Sequence, residues 1–99
     1  MPTLSATVQT DQPERYILRL SKHWAHKFPV TFDSQRSRID LDDSICELVA
    51  EDGSLRVILK TPEGSVDELQ AVIAEHLQRF APRDTKLIFT WCSTPESDA

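Results

Sequence analysis

Three histidines and two cysteines are the side chains here that could bind a metal ion or transfer a proton near neutral pH. His23 and His26 are three residues apart, a spacing that lets two helical side chains meet one ligand. His76 and Cys46 are the further candidate metal ligands, and zinc or iron are the ions such ligands suit. A His-x-x-His pair alone is weak evidence for zinc, whose motifs use a wider His spacing with Glu, or a Cys-x-x-Cys pair. The sequence therefore leaves a metal site open and requires no cofactor.

The first two histidines lie near the end of a predicted helix over residues 12–27. Asp11 and Glu14 have the spacing of a capping box, and Pro29 follows the expected end. The apolar side chains recur at the spacing of one helix face: Tyr16, Ile17, Leu20, Trp24 and Phe28.

A basic stripe lies on another face of this helix and comprises Arg15, Arg19, Lys22 and His26. Its simplest interpretation is a solvated surface, because basic residues near a helix C-terminus interact favourably with the helix dipole. We favour this interpretation. An anion-binding surface is the sharper alternative, and it gains some weight because Asp and Glu are absent from residues 15–32 of a chain that is acidic overall.

The composition is typical of a globular domain with an acidic surface. Hydrophobic residues make up 39% and charged residues 27%, and 11 basic against 16 acidic residues give a net charge of −5. Nucleic-acid binding needs a basic footprint that this chain lacks. Two cysteines are too few for a disulfide framework, no apolar run could span a membrane, and no signal-peptide pattern is visible. We therefore expect a cytoplasmic protein without nucleic-acid or membrane partners.

Alternating apolar and polar residues predict six strands around two helices. Strands are expected at 4–9, 28–32, 36–41, 45–50, 55–60 and 86–91, with a second helix capped by Ser65 and ended by Pro82. The order β-α-β-β-β-β-α-β predicts an α+β two-layer sandwich, with a mostly antiparallel sheet and both helices on one face. Residues 1–92 are expected to form one domain, and residues 93–99 a disordered tail.

Helix geometry gives the two helices two ways of packing side by side. One brings His23 and His26 towards His76 and Arg79, in a groove between the helices. The other brings Trp24 and its apolar neighbours towards Leu77. We favour the second by a small margin, because it buries more apolar surface.

Two sequence blocks carry a family resemblance: His23-Trp24-Ala25-His26-Lys27-Phe28-Pro29-Val30 and His76-Leu77-Gln78-Arg79-Phe80-Ala81. With Cys46 in a strand and a last strand ending at Trp91, they resemble the domain of unknown function 2218 family of small bacterial proteins. Ser44 stands where the family often has glycine, and Pro82 where it tends to have phenylalanine. Relatives occur joined to siderophore-interacting flavin reductases, so the resemblance implies a cytoplasmic domain linked to iron uptake. It implies no reaction.

We favour a non-enzymatic binding domain in which His23, His26 and Arg79 contact an anionic small ligand or an acidic protein partner. One alternative is a metal site that uses the histidines, with Cys46 as a further ligand. The other is a small enzyme with His23 or His26 as general base. Anion binding should strengthen as pH falls, whereas metal binding should weaken. Ligand identity and oligomeric state stay open.

Overall fold

The computed structural model describes residues 2–94 and contains one six-stranded antiparallel sheet with two helices. The spatial order of the strands is β2-β3-β4-β5-β1-β6. The elements in chain order are β1 (Thr3–Gln9), α1 (Pro13–Trp24), β2 (Val30–Phe32), β3 (Arg36–Asp40), β4 (Ile45–Glu51), β5 (Ser54–Lys60), α2 (Val66–Phe80) and β6 (Thr90–Thr94). The predicted α+β class and element order are confirmed.

Cross-strand register explains why one face of the sheet is covered. Ile39 pairs with Cys46, and Cys46 pairs with Leu59, and all three are fully buried. The neighbouring register pair, Arg38 and Glu47, points the other way and forms a 4.0 Å ion pair on the open face. Apolar and polar residues therefore separate onto the two faces, as the alternation predicts.

Two tight turns fix the register of the central strands. The β4–β5 hairpin turns through Asp52 and Gly53, with Gly53 at a φ of 77°. Glycine tolerates this left-handed conformation without a steric penalty, which explains why glycine stands at this position of the turn. The β3–β4 turn uses Asp42 at a φ of 75°, a conformation that aspartate tolerates better than most residues.

The predicted side-chain caps of both helices are wrong. The N-cap of α1 is Gln12, so Asp11 lies outside the first turn, and the Thr10 hydroxyl accepts the Gln12 N–H at 3.1 Å. Ser65 precedes α2 but ends a short 3₁₀ turn, with φ −106° and ψ 1°. A capping hydroxyl normally projects from an extended residue, and neither N-cap residue forms a side-chain cap bond.

The core lies between the helices and the covered face of the sheet. Leu20, Trp24, Ile73 and Leu77 are buried in it, whereas Phe80 is only partly buried at its margin. One polar contact crosses this layer: the hydroxyls of Ser21 on α1 and Ser37 on β3 are 2.6 Å apart. One hydroxyl donates to the other, so this buried hydrogen bond links α1 to the sheet.

The last strand begins four residues later than predicted, at Thr90. Leu87 is buried, but its N–H donates to the side-chain oxygen of Gln78 at 2.8 Å. The Gln78 amide also donates to the carbonyl of Thr85 at 2.7 Å. The segment before β6 therefore keeps the alternating pattern of a strand but is hydrogen-bonded to α2. The Gln78 side chain there forms the hydrogen bonds that a neighbouring strand would form.

The strand β6 continues through Ser93 and Thr94, so the expected domain boundary after residue 92 falls inside it. The rest of the expected tail, residues 95–99, lies outside the described residues. Between residues 2 and 94, neither helix has the length and apolar character needed to cross a bilayer.

Candidate functional site

A cavity of about 470 Å³ opens between the end of α1, the end of β3 and one side of α2. We call it the histidine groove. Its titratable or charged lining residues are His23, His26, Lys27 and His76. Its apolar lining residues are Trp24, Phe28, Leu41, Leu69 and Val72. A basic end and an apolar wall therefore share one concave surface.

The end of α1 and the turn after it position His23, His26 and Lys27. The helix stops at Trp24, three residues before the predicted end, and the chain continues as a turn. The N–H groups of Lys27 and Phe28 both donate to the Trp24 carbonyl, at 3.0 and 2.9 Å. This turn places His26 and Lys27 beside the groove, and Pro29 prevents the helix from continuing.

His76 connects the two helices. Its ring centroid lies 5.2 Å from that of His23 and 5.2 Å from that of Trp24. The histidine arrangement, which we did not favour from the sequence, is therefore observed for His23, His26 and His76 but not for Arg79. A half-buried imidazole is tolerated here because His76 Nδ1 lies 2.8 Å from the Val72 carbonyl. A carbonyl can only accept, so Nδ1 is the donor in this contact and carries a proton.

His23 and His26 are exposed and also line a second cavity on the outer side of α1. This outer pocket measures about 510 Å³ and includes Lys22 and Phe80. The centroids of the His23 and Phe80 rings are 6.2 Å apart, which places Phe80 beside the histidines. The two histidines thus lie between two basic depressions. Five apolar side chains line the histidine groove, and Leu18 and Phe80 line the outer pocket.

Arg79 does not line either cavity. It is exposed and its guanidinium lies 3.5 Å from the Glu75 carboxylate, one turn earlier on α2. A role for Arg79 in ligand binding stays a prediction. Arg15, by contrast, donates from Nε to the Phe80 carbonyl at 3.2 Å and so satisfies the end of α2.

Cys46 lies in the core and not in the histidine groove. Burial raises the pKa of its thiol to about 12, and the nearby Glu47 carboxylate acts in the same direction. A protonated, enclosed thiol is a poor metal ligand and a poor nucleophile. The predicted grouping of Cys46 with the histidines is therefore wrong, because the strand register directs this side chain into the sheet–helix interface.

We expect a thiol reagent to modify Cys92 in the native protein and Cys46 only after unfolding. Cys92 is exposed on β6, whereas Cys46 has no accessible surface. Counting modified thiols by mass spectrometry, in buffer and in denaturant, measures the difference. The Cys92→Ser variant is the control and should show no modification while folded. Rapid labelling of that native variant would contradict the placement of Cys46.

The metal alternative has few ligands to draw on. Over residues 2–94, no group of three or more His, Cys, Asp or Glu side chains is placed to hold one ion. The contact between His23 and His76 supplies two imidazoles, and an ion there would need water or a ligand to complete its coordination.

Several lining residues were missed by the sequence analysis. Lys27 lies in the same stretch as the histidines and could have been included from its charge and position. Leu41 and Leu69 gave no such signal, because they reach the groove from distant parts of the chain. Their apolar character predicted only burial, and both are partly buried at the margin of the core.

The comparisons with known proteins agree with this fold. The family model described as an uncharacterized protein conserved in bacteria, DUF2218, matches residues 5–92. The NMR structure of PA4090 from Pseudomonas aeruginosa is similar, with 41% sequence identity and a TM-score of 0.78, over 93% of this chain and 96% of that chain. Comparison with curated proteins gives no match. The chain therefore belongs to the DUF2218 family of uncharacterised bacterial proteins, as the resemblance of its histidine blocks predicted.

Proposed function

We propose that this protein is a non-enzymatic binding module that accepts an anionic ligand with an apolar body in the histidine groove. The observation that carries the proposal is the composition of the lining. Three histidines and Lys27 stand at one end, and five apolar side chains form the wall. Among residues 2–94, no acidic residue lines the groove. A ligand site of this kind combines apolar burial with a few polar groups that orient the ligand.

The charge distribution supports an anion in place of a cation. Lys27 is positively charged at neutral pH, and each histidine can add a further charge on protonation. A carboxylate or phosphate beside these groups would form charge-assisted hydrogen bonds, which are stronger than those between neutral groups. Leu41, Leu69 and Val72 would then remove the apolar part of the ligand from water.

Iron metabolism is the biological context we propose, from the family resemblance alone. Ferric catecholate complexes carry negative charge on aromatic rings, and this combination matches the chemistry of the lining. An acidic protein partner would use the same basic end through its surface carboxylates. Neither would require His23 or His26 to act as a general base.

The matched pair Lys27→Ala and Lys22→Ala tests the location. Lys27 lines the histidine groove, whereas Lys22 lines the outer pocket. Both lysines are exposed, and they lie close together in the sequence. Calorimetric titration with octanoate at neutral pH should show Lys27→Ala weakening binding about fivefold, or roughly 1 kcal/mol. Lys22→Ala should change it by less than about twofold.

Octanol and inorganic phosphate are the control ligands for the charge and for the apolar body. Octanol should bind less well than octanoate because it lacks the charge, and phosphate because it lacks the apolar body. Equal losses in the two lysine variants would mean that octanoate responds only to net charge. That result, or no saturable octanoate binding to the wild type, would overturn the proposed site.

A further inference from the structure

A second concave surface adjoins the apolar end of the histidine groove. This acidic pocket measures about 200 Å³ and shares three lining residues with the groove: Leu41, Leu69 and Val72. Beyond them it is lined by Asp43 and Ser44 from the β3–β4 turn and by Ser65 and Glu68 at the start of α2. The two cavities therefore meet along an apolar floor, with opposite charges at their outer ends.

The spacing of residues on α2 gives the length of this combined surface. Glu68, Val72 and His76 are successive residues of an i, i+4, i+8 row, so they lie along one side of the helix. With a rise of 1.5 Å per residue, Glu68 and His76 are about 12 Å apart along the helix axis. Val72 lies midway and contributes to both cavities.

We infer that the ligand of the histidine groove is an elongated zwitterion, with an anionic group at the histidine end, an apolar middle and an ammonium group at the acidic end. This inference rests on the proposed function and adds the second charge and the length. Asp43 and Glu68 come from separate elements, so the negative end does not arise from α2 alone. An acidic first turn by itself would only complement the helix dipole.

Shape and charge together exclude simpler occupants of the full surface. An alkyl anion would cover the apolar floor, but its uncharged end would lie beside the carboxylates of Asp43 and Glu68. A short amino acid could not span the distance between the two charged ends. A linear ω-amino carboxylate satisfies both ends at once, because its ammonium group donates to carboxylate and hydroxyl oxygens.

Aminooctanoate, with its amino group at the far end, and octanoate are the probes that test the inference. We expect the wild type to bind aminooctanoate about fivefold more tightly than octanoate. Glu68→Gln should remove that advantage, so that the variant binds aminooctanoate and octanoate with about equal affinity. Asp67→Asn is the matched control, because Asp67 is in the same acidic first turn of α2 but does not line the acidic pocket.

The outcomes separate the inference from the proposed function. If octanoate binding depends on Lys27 but aminooctanoate gains nothing, or if Asp67→Asn has the same effect as Glu68→Gln, the zwitterion is wrong and the anion site stands. If neither probe responds to Lys27→Ala, the proposed site itself is wrong. A series of ω-amino carboxylates should reach its best affinity at one chain length, close to that of aminooctanoate. An affinity independent of length would also overturn the inference.

Discussion

Replacing Ile73 with alanine is expected to lower the free energy of unfolding by about 2–5 kcal/mol. Ile73 has 0% exposed surface and lies in the core cluster with Leu20, Leu48 and Leu77. Removing its outer carbons loses apolar burial and leaves a cavity that neighbours on the sheet and α1 cannot fully close. Because α2 carries His76, the substitution should also loosen the wall of the histidine groove.

Urea unfolding followed by circular dichroism measures this loss. Ile88→Ala is the matched control, since Ile88 is the same residue type but has 63% of its surface exposed. We expect the control to stay within about 0.5 kcal/mol of the wild type. Equal midpoints for the Ile73 and Ile88 variants would contradict the assigned core face of α2.

Anion affinity should rise as pH falls, and zinc affinity should fall. A bound anion stabilises the charged form of nearby imidazoles, so binding takes up protons and strengthens at lower pH. A metal needs neutral imidazoles, so protons compete with it. We expect the affinity for octanesulfonate, which stays ionised throughout, to increase by about tenfold between pH 8 and pH 6.

The charged surroundings decide which histidines carry this effect. Lys27 shares the groove with His23 and His26, and Arg19 and Lys22 line the outer pocket across the same two histidines. The His23→Ala and His26→Ala variants should each reduce the pH dependence, whereas Arg38→Ala on the open face should not. A slope of the opposite sign for octanesulfonate would contradict the account.

Local signals predicted most of the fold. Alternation located both ends of each of the strands β1 to β5 to within two residues. The predictions of helix caps and of the start of the last strand failed because the same residue can form different hydrogen bonds in different backbone conformations. Ser65 could have capped α2, but the preceding 3₁₀ turn gave it the wrong dihedrals. Leu87 fits a strand pattern, but Gln78 binds its N–H before the strand begins.

The candidate site was only partly visible in the sequence. His23 and His26 could be found from their spacing, and His76 from the rotation of α2. Their meeting depends on which sides of the helices face each other, and apolar burial favoured the other arrangement. The hydrogen bond from His76 Nδ1 to the Val72 carbonyl lowers the free-energy cost of partly burying an imidazole between the helices. Leu41 reaches the groove through the β3–β4 turn, a long-range contact that no local pattern contains.

A solution NMR titration of the wild type with octanoate tests the central claim most directly. The imidazole signals of His23, His26 and His76 should shift together, with one saturable affinity, and so should the methyl signals of Leu69 and Val72. Signals from Arg38 and Glu47 on the open face should stay in place. Shifts confined to the open face or to Lys22 and Arg19 of the outer pocket, with unchanged His76 and Val72 signals, would contradict an anion site in the histidine groove.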